Sequence, residues 1–127
     1  MLTISLKATS MELTPAIRLY AEEKISSVEK FIDPLKEARA EIELGKTTHH
    51  HNGGAIFRCE INFHMEGELL RSVSQKEDLY AAIDIAKDEL LDEVRKQKNK
   101  KTRGSRRGAR MFKSLLQKMG FGNGEEV

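Results

Sequence analysis

Apolar and polar residues alternate at the start of the chain, with Leu2, Ile4 and Leu6 set against Thr3, Ser5 and Lys7. A period of two predicts a half-buried strand. The period then changes. Ile17, Ala21, Ile25, Val28 and Ile32 recur at three- and four-residue spacing, the stripe of one helical face. Thr14 stands as the N-cap of that helix. Pro15 takes the first helical position, where its missing N–H is harmless, and Asp33-Pro34 stops the helix. Alternation returns at Ala38, Ala40, Ile42 and Leu44. It returns again at Ala55, Phe57, Cys59, Ile61, Phe63 and Met65, and a last strand is expected over residues 69–73. Residues 46–54 read as a loop and Gly67 as a short turn.

A second helical stripe follows at Leu79, Ala82, Ile83, Ala86, Leu90 and Val94. Ser74 and Glu77 stand three apart as a capping box, and Glu77 and Asp78 place negative charge at the positive end of the helix dipole. The order β-α-β-β-β-α predicts a two-layer α+β domain. Its four-stranded mixed sheet carries both helices on one face. The strand–helix–strand start makes the first two strands parallel through a right-handed crossover. Short turns make the rest an antiparallel meander.

Charge changes the picture from Arg95 onward. Residues 1–94 carry 11 Lys/Arg against 18 Asp/Glu, a net of −7, and residues 95–127 carry 11 against 2, a net of +9. Within residues 95–110 there are nine Lys or Arg and no acid. Clustered positive charge points to a nucleic-acid backbone, because released counterions reward clustering rather than average charge. A solvated tail is the plain alternative. From Arg103 the text RGSRRGAR has no apolar pattern and reads as a flexible basic linker. Met111, Phe112, Leu115, Leu116 and Met119 then return to helical spacing for about two turns. The expected division is therefore 1–101 as the folded domain and 102–127 as a basic, flexible extension with a short amphipathic helix at 111–119.

One cysteine, Cys59, excludes an internal disulfide and fits a reducing cytoplasm. No apolar run approaches the ~18 residues of a membrane span, and no basic-then-apolar leader opens the chain, so no membrane association is expected.

Two segments carry a family resemblance. MELTPAIRLYAEEKISSVEKF (residues 11–31) and KEDLYAAIDIAKDELLDEVRKQKNK (residues 76–100) are similar to the ribosome hibernation-promoting factors, a group that includes the ribosome-associated inhibitor and the ribosomal subunit interface proteins. The Glu-Asp-Leu-Tyr-Ala-Ala-Ile-Asp stretch is the most specific part. Thr-Pro-Ala-Ile-Arg supports it, and Thr48-His49 is a weaker match. The resemblance implies a fold like that of double-stranded RNA-binding domains. It also implies a non-enzymatic factor that occupies the decoding region of the small ribosomal subunit, where mRNA and tRNA would lie. The implied partners are that subunit and its rRNA, with no cofactor and no small-molecule substrate. Long members carry a C-terminal dimerisation domain. The 17 residues after Arg110 are too few for one, so the expectation is a short form, monomeric when free.

One departure from the family pattern stands out. Glu89 and Asp92 occupy positions where members usually carry Lys and Arg as part of the RNA-facing patch. The contact face is therefore expected to move to Arg95, Lys96, Lys98, Lys100, Lys101, Arg103, Arg106, Arg107 and Arg110. Arg18, Lys24 and Lys30 on the first helix and Lys87 on the second either extend that patch or are surface charges. Tyr80 is expected in the core.

Other chemistry finds little support. His49, His50 and His51 lack partners at metal-ligand spacing, so a polar loop is expected there, with His49 as a candidate RNA contact. There is no phosphate-binding glycine loop and no nucleophile motif, and Cys59 on an apolar strand face reads as an inert thiol. Asp88 and Asp92, one turn apart, read as solvated charges rather than a nuclease site. No catalytic residue and no metal is assigned. The second reading of function is a protein-interaction module that binds an acidic or grooved partner through the basic arm and the last helix.

Overall fold

The computed structural model describes residues 1–48 and 54–118, without the side chains of residues 48, 101–109 and 118. The four alternating stretches form β1 (Leu2–Thr9), β2 (Ala38–Thr48), β3 (Ala55–Met65) and β4 (Glu68–Lys76), ordered β1-β2-β3-β4 in one sheet. β1 runs parallel to β2, with Leu2 opposite Ala38 and Leu6 opposite Ile42. β2 with β3 and β3 with β4 are antiparallel, so Ala40, Phe63 and Leu70 line up across three strands. Between β3 and β4 the chain reverses through Glu66 and Gly67, both at positive φ (48° and 79°). This two-residue turn matches the twist of the flanking strands.

α1 (Pro15–Ser26) starts as its cap residue dictates, with the Ile17 amide donating to Thr14 Oγ1 at 3.2 Å. It ends earlier than the stripe suggests. Ser27 donates its hydroxyl to the Lys24 carbonyl at 2.6 Å, and residues Ser27–Phe31 tighten into a 3-10 turn that still buries Val28.

The second helix, α2 (Leu79–Lys118), departs from the sequence expectation at both ends. Ser74 does not cap it: Ser74 lies within β4, buried and paired with Cys59. Asp78 caps it instead, its carboxylate accepting the Tyr80 amide at 3.2 Å while its carbonyl accepts the Ala82 amide. At the far end, the flexible linker expected from Arg103 and the separate helix at 111–119 are replaced by unbroken helix through Lys118. The stretch contains no proline. Gly104 and Gly108 cost only about 1 kcal/mol each relative to alanine, and Arg106 and Arg107 between them are good helix formers favoured toward a helix C-terminus.

Met1–Val94 forms one compact unit, and the segment from Arg95 is a second. In the first unit, one face of the sheet meets α1 and the early part of α2. Phe63, Ile25, Leu44, Ile61, Ile83, Leu90 and Val94 are fully buried there. Each such side chain contributes roughly 1.5–3 kcal/mol by leaving water. Ser72 fastens β4 to α2 by donating its hydroxyl to the Ala86 carbonyl at 2.8 Å. The α+β architecture with both helices on one face is as the periodicities predicted.

Candidate nucleic-acid interface

The residues named from the sequence lie partly in the first unit and partly in the second. In the first unit, most of the candidate cations already have acidic neighbours. Arg18 pairs with Glu22 one helical turn on at 3.6 Å, and Lys87 pairs with Asp88 at 2.9 Å. Lys24 lies 3.5 Å from Asp84 and 5.4 Å from the centre of the Tyr20 ring. Lys30 is exposed on the 3-10 turn. Glu89 and Asp92 are exposed on α2, so nothing in the packing hides their negative charge.

Around Lys24 lies a cluster that the sequence did not reveal. Tyr20 donates its hydroxyl to Asp84 at 2.6 Å, and its ring meets Tyr80 edge-on, with centroids 4.8 Å apart. Tyr80 is 39% exposed, so it is not the core residue expected. The bond to the Asp84 carboxylate holds the Tyr20 phenol protonated, and its pKa is pushed up to about 12. The available signal was Tyr20/Lys24 and Tyr80/Asp84, two pairs spaced i, i+4 on facing helices.

The open face of the sheet is polar but charge-balanced. Glu60 accepts from Arg71 Nε at 2.8 Å and from Arg58 at 2.9 Å, with its side chain only 15% exposed. These two guanidinium contacts hold its carboxyl below the usual carboxylate range. His64 lies 3.1 Å from Glu41, whose pKa is lowered first by that hydrogen bond. A sheet face whose arginines are already engaged by carboxylates offers little to a polyanion.

In the second unit the candidate cations run along α2. Arg95, Lys96, Lys98 and Lys100 are exposed on α2, as is Arg110. Lys101, Arg103, Arg106 and Arg107 share the helical backbone, while their side chains lie outside the described residues. At ~100° per residue, Arg95, Arg103, Arg106, Arg107 and Arg110 fall within an arc of about 120°. Positions 98 and 101 fall outside that arc. At ~1.5 Å per residue, the run from Arg95 to Arg110 is about 22 Å long. His49 lies outside the described residues, as do His50 and His51.

A model of the sigma 54 modulation protein / S30EA ribosomal protein family matches residues 4–102. The chain belongs to that family. A ribosome hibernation promotion factor of Staphylococcus aureus is 31% identical over 121 residues, which cover 94% of this chain and 61% of that protein. One from Deinococcus radiodurans is 30% identical over 95 residues, 75% of this chain and 48% of that protein. The chain thus spans about half to three-fifths of the length of these curated relatives. Among solved structures, the N-terminal domain of Protein Y from Thermus thermophilus matches with a TM-score of 0.63 and 32% identity, covering 76% of this chain and 98% of that one. The family match stops at residue 102, so Arg103, Arg106, Arg107 and Arg110 lie beyond it. No helix among the described residues is long and apolar enough to cross a membrane.

Proposed function

We propose that this chain is a ribosome hibernation factor of the cytoplasm that binds the small ribosomal subunit and keeps it from translating. The observation that carries the reading is the run of nine cations without an acid, set on one continuous helix in a member of a ribosomal protein family. Cations at that density neutralise phosphates and fix position without reading bases. The folded unit supplies bulk. Placed in the path of mRNA and tRNA at the decoding region, it inhibits by exclusion, and no residue needs to perform chemistry or hold a cofactor.

The shift of the contact face from Glu89 and Asp92 toward Arg95–Arg110 belongs to this proposal. Exposed acids at 89 and 92 would repel a phosphate backbone, and the helix beyond them offers more positive charge than those positions have lost. Pelleting with separated small and large subunits tests the reading, with an mRNA–tRNA mixture as competitor. The expected result is binding to the small subunit that the competitor displaces. Binding to the large subunit alone, or binding indifferent to the competitor, contradicts it.

A second reading has one observation in its favour. Met111, Phe112 and Leu115 are 68, 64 and 53% exposed on the last turns of α2. Such a face suits docking into a groove on a protein partner.

A further inference from the structure

Exposed apolar side chains at the end of α2 have a counterpart on the same chain. At the other end of the helix, an open cleft of about 450 Å³ lies where the N-termini of α1 and α2 approach the end of the sheet. Met11, Ile17, Phe57 and Leu79 give it an apolar floor, beside the half-exposed ring of Tyr80. Its rim is acidic. Glu12, Glu77 and Asp78 line it, with Lys46 as the one opposing cation among the described lining residues. A polyanion such as rRNA is repelled by that rim, so the cleft does not belong to the nucleic-acid interface. What fits it is a large apolar side chain carried on a basic segment.

The last turns of α2 are such a segment. Met111, Phe112, Leu115 and Leu116 share one side of the helix, and Arg110 and Lys113 lie on the other. The two units also have opposite net charges, −7 for residues 1–94 and +9 for residues 95–127. Opposite fields steer the two surfaces together and fix their orientation.

We propose that two copies of this chain associate by exchanging ends, with Phe112 and its apolar neighbours on one copy entering the Met11–Ile17–Phe57–Leu79 cleft of the other. Each copy holds both halves of the contact, and the proposed exchange is the reciprocal, two-fold one. This goes beyond the monomer expected from the sequence. Phosphates that occupy the cations beside Phe112 compete with the acidic rim, so rRNA binding and self-association oppose each other.

The test uses the full chain, freed of nucleic acid, in sedimentation velocity from low to high micromolar concentration at low salt. Two surface variants separate the halves of the contact: Phe112→Asp at the exposed end, and Glu12→Lys with Glu77→Lys at the exposed rim. The parent is expected to shift from monomer to dimer across the series. Each variant alone should require at least tenfold higher concentration to associate. An equimolar mixture of the two retains one intact contact and should recover a heterodimer. A parent that stays monomeric throughout overturns the proposal, as does a parent dimer unaffected by either variant. No ribosome is present in the measurement, so its failure leaves the ribosome-binding reading to be judged by its own experiment.

Discussion

Tyr20 and Asp84 join the two helices through one hydrogen bond of 2.6 Å, phenol to carboxylate. Replacing Tyr20 with Phe removes the donor and keeps the ring that meets Tyr80. The expected cost is about 1.5–3 kcal/mol, the range for a hydrogen bond to a charged acceptor, read as a lower urea midpoint. Proton linkage gives a second readout. The folded-state pKa of Tyr20 lies above the ordinary value of 10.0, at about 12. Its stabilising contribution is therefore complete below about pH 10 and is lost as pH rises through the folded value. The stability difference between parent and Tyr20→Phe should hold constant from neutral pH to about 10 and shrink above it.

Ser72 and Ser74 ride the same inward face of β4, two residues apart, and are buried alike. Ser72 donates to the Ala86 carbonyl, whereas Ser74 Oγ has no hydrogen-bond partner among the described residues. Alanine should therefore act in opposite directions at the two sites. Ser72→Ala is expected to destabilise by about 1 kcal/mol, and Ser74→Ala to be neutral or stabilising by up to about 1 kcal/mol, because a buried hydroxyl without a partner keeps its desolvation cost. Chemical denaturation of the two variants side by side decides the point.

Glu60 holds two arginines on the open sheet face, and its carboxyl is depressed chiefly by Arg71. Its contribution to stability is present above the ordinary Glu range and falls away as pH drops through the lowered folded-state value. Glu60→Gln should cost on the order of 1–2 kcal/mol at pH 7, and the gap to the parent should narrow steadily below about pH 4. Small-subunit binding at neutral pH should be unchanged by this variant, since the sheet face lies outside the proposed interface.

Much of this fold was legible because each half-buried face imposes its own period. Phe63 and its neighbours alternate because one side of β3 packs and the other does not, and Ile83, Leu90 and Val94 recur because one side of α2 packs. Ser74 misled because a small polar residue suits both a buried strand position and a helix cap. Only the pairing of Ser74 with Cys59 separates the two. Gly104 and Gly108 misled in the same way, since glycine punctuates chains yet costs a long helix little. Tyr80 looked like core because an aromatic at the start of a packed helix usually is. It is instead 39% exposed beside Tyr20, in an edge-on contact between residues far apart in sequence. The cationic run itself was plain in the sequence. That its five arginine positions share one arc of a helix was not, because that depends on α2 continuing.

Glu89 and Asp92 supply a gain-of-function test. Both are exposed on α2, so Glu89→Lys with Asp92→Arg should fold as the parent does. The pair removes two negative charges and adds two positive ones where family members usually carry cations. Small-subunit affinity should rise by tenfold or more at moderate salt, from the order of 1 kcal/mol per favourable charged contact. Unchanged affinity would place the interface away from this stretch of α2.

The central claim is that cations from Arg95 to Arg110 hold the chain on ribosomal RNA. Its most direct test is the salt dependence of small-subunit binding, compared between the full chain and a form ending at Lys101. With six to nine phosphates neutralised, the full chain should lose on the order of 10³-fold or more in affinity between about 50 and 200 mM salt. The shortened form lacks Arg103, Arg106, Arg107 and Arg110. It should fold cooperatively, because the buried stripe of α2 is complete at Val94, and it should bind more weakly. Its log–log salt slope should be shallower by about three to four. Affinity flat across the salt range, or identical slopes for the two forms, would contradict the account.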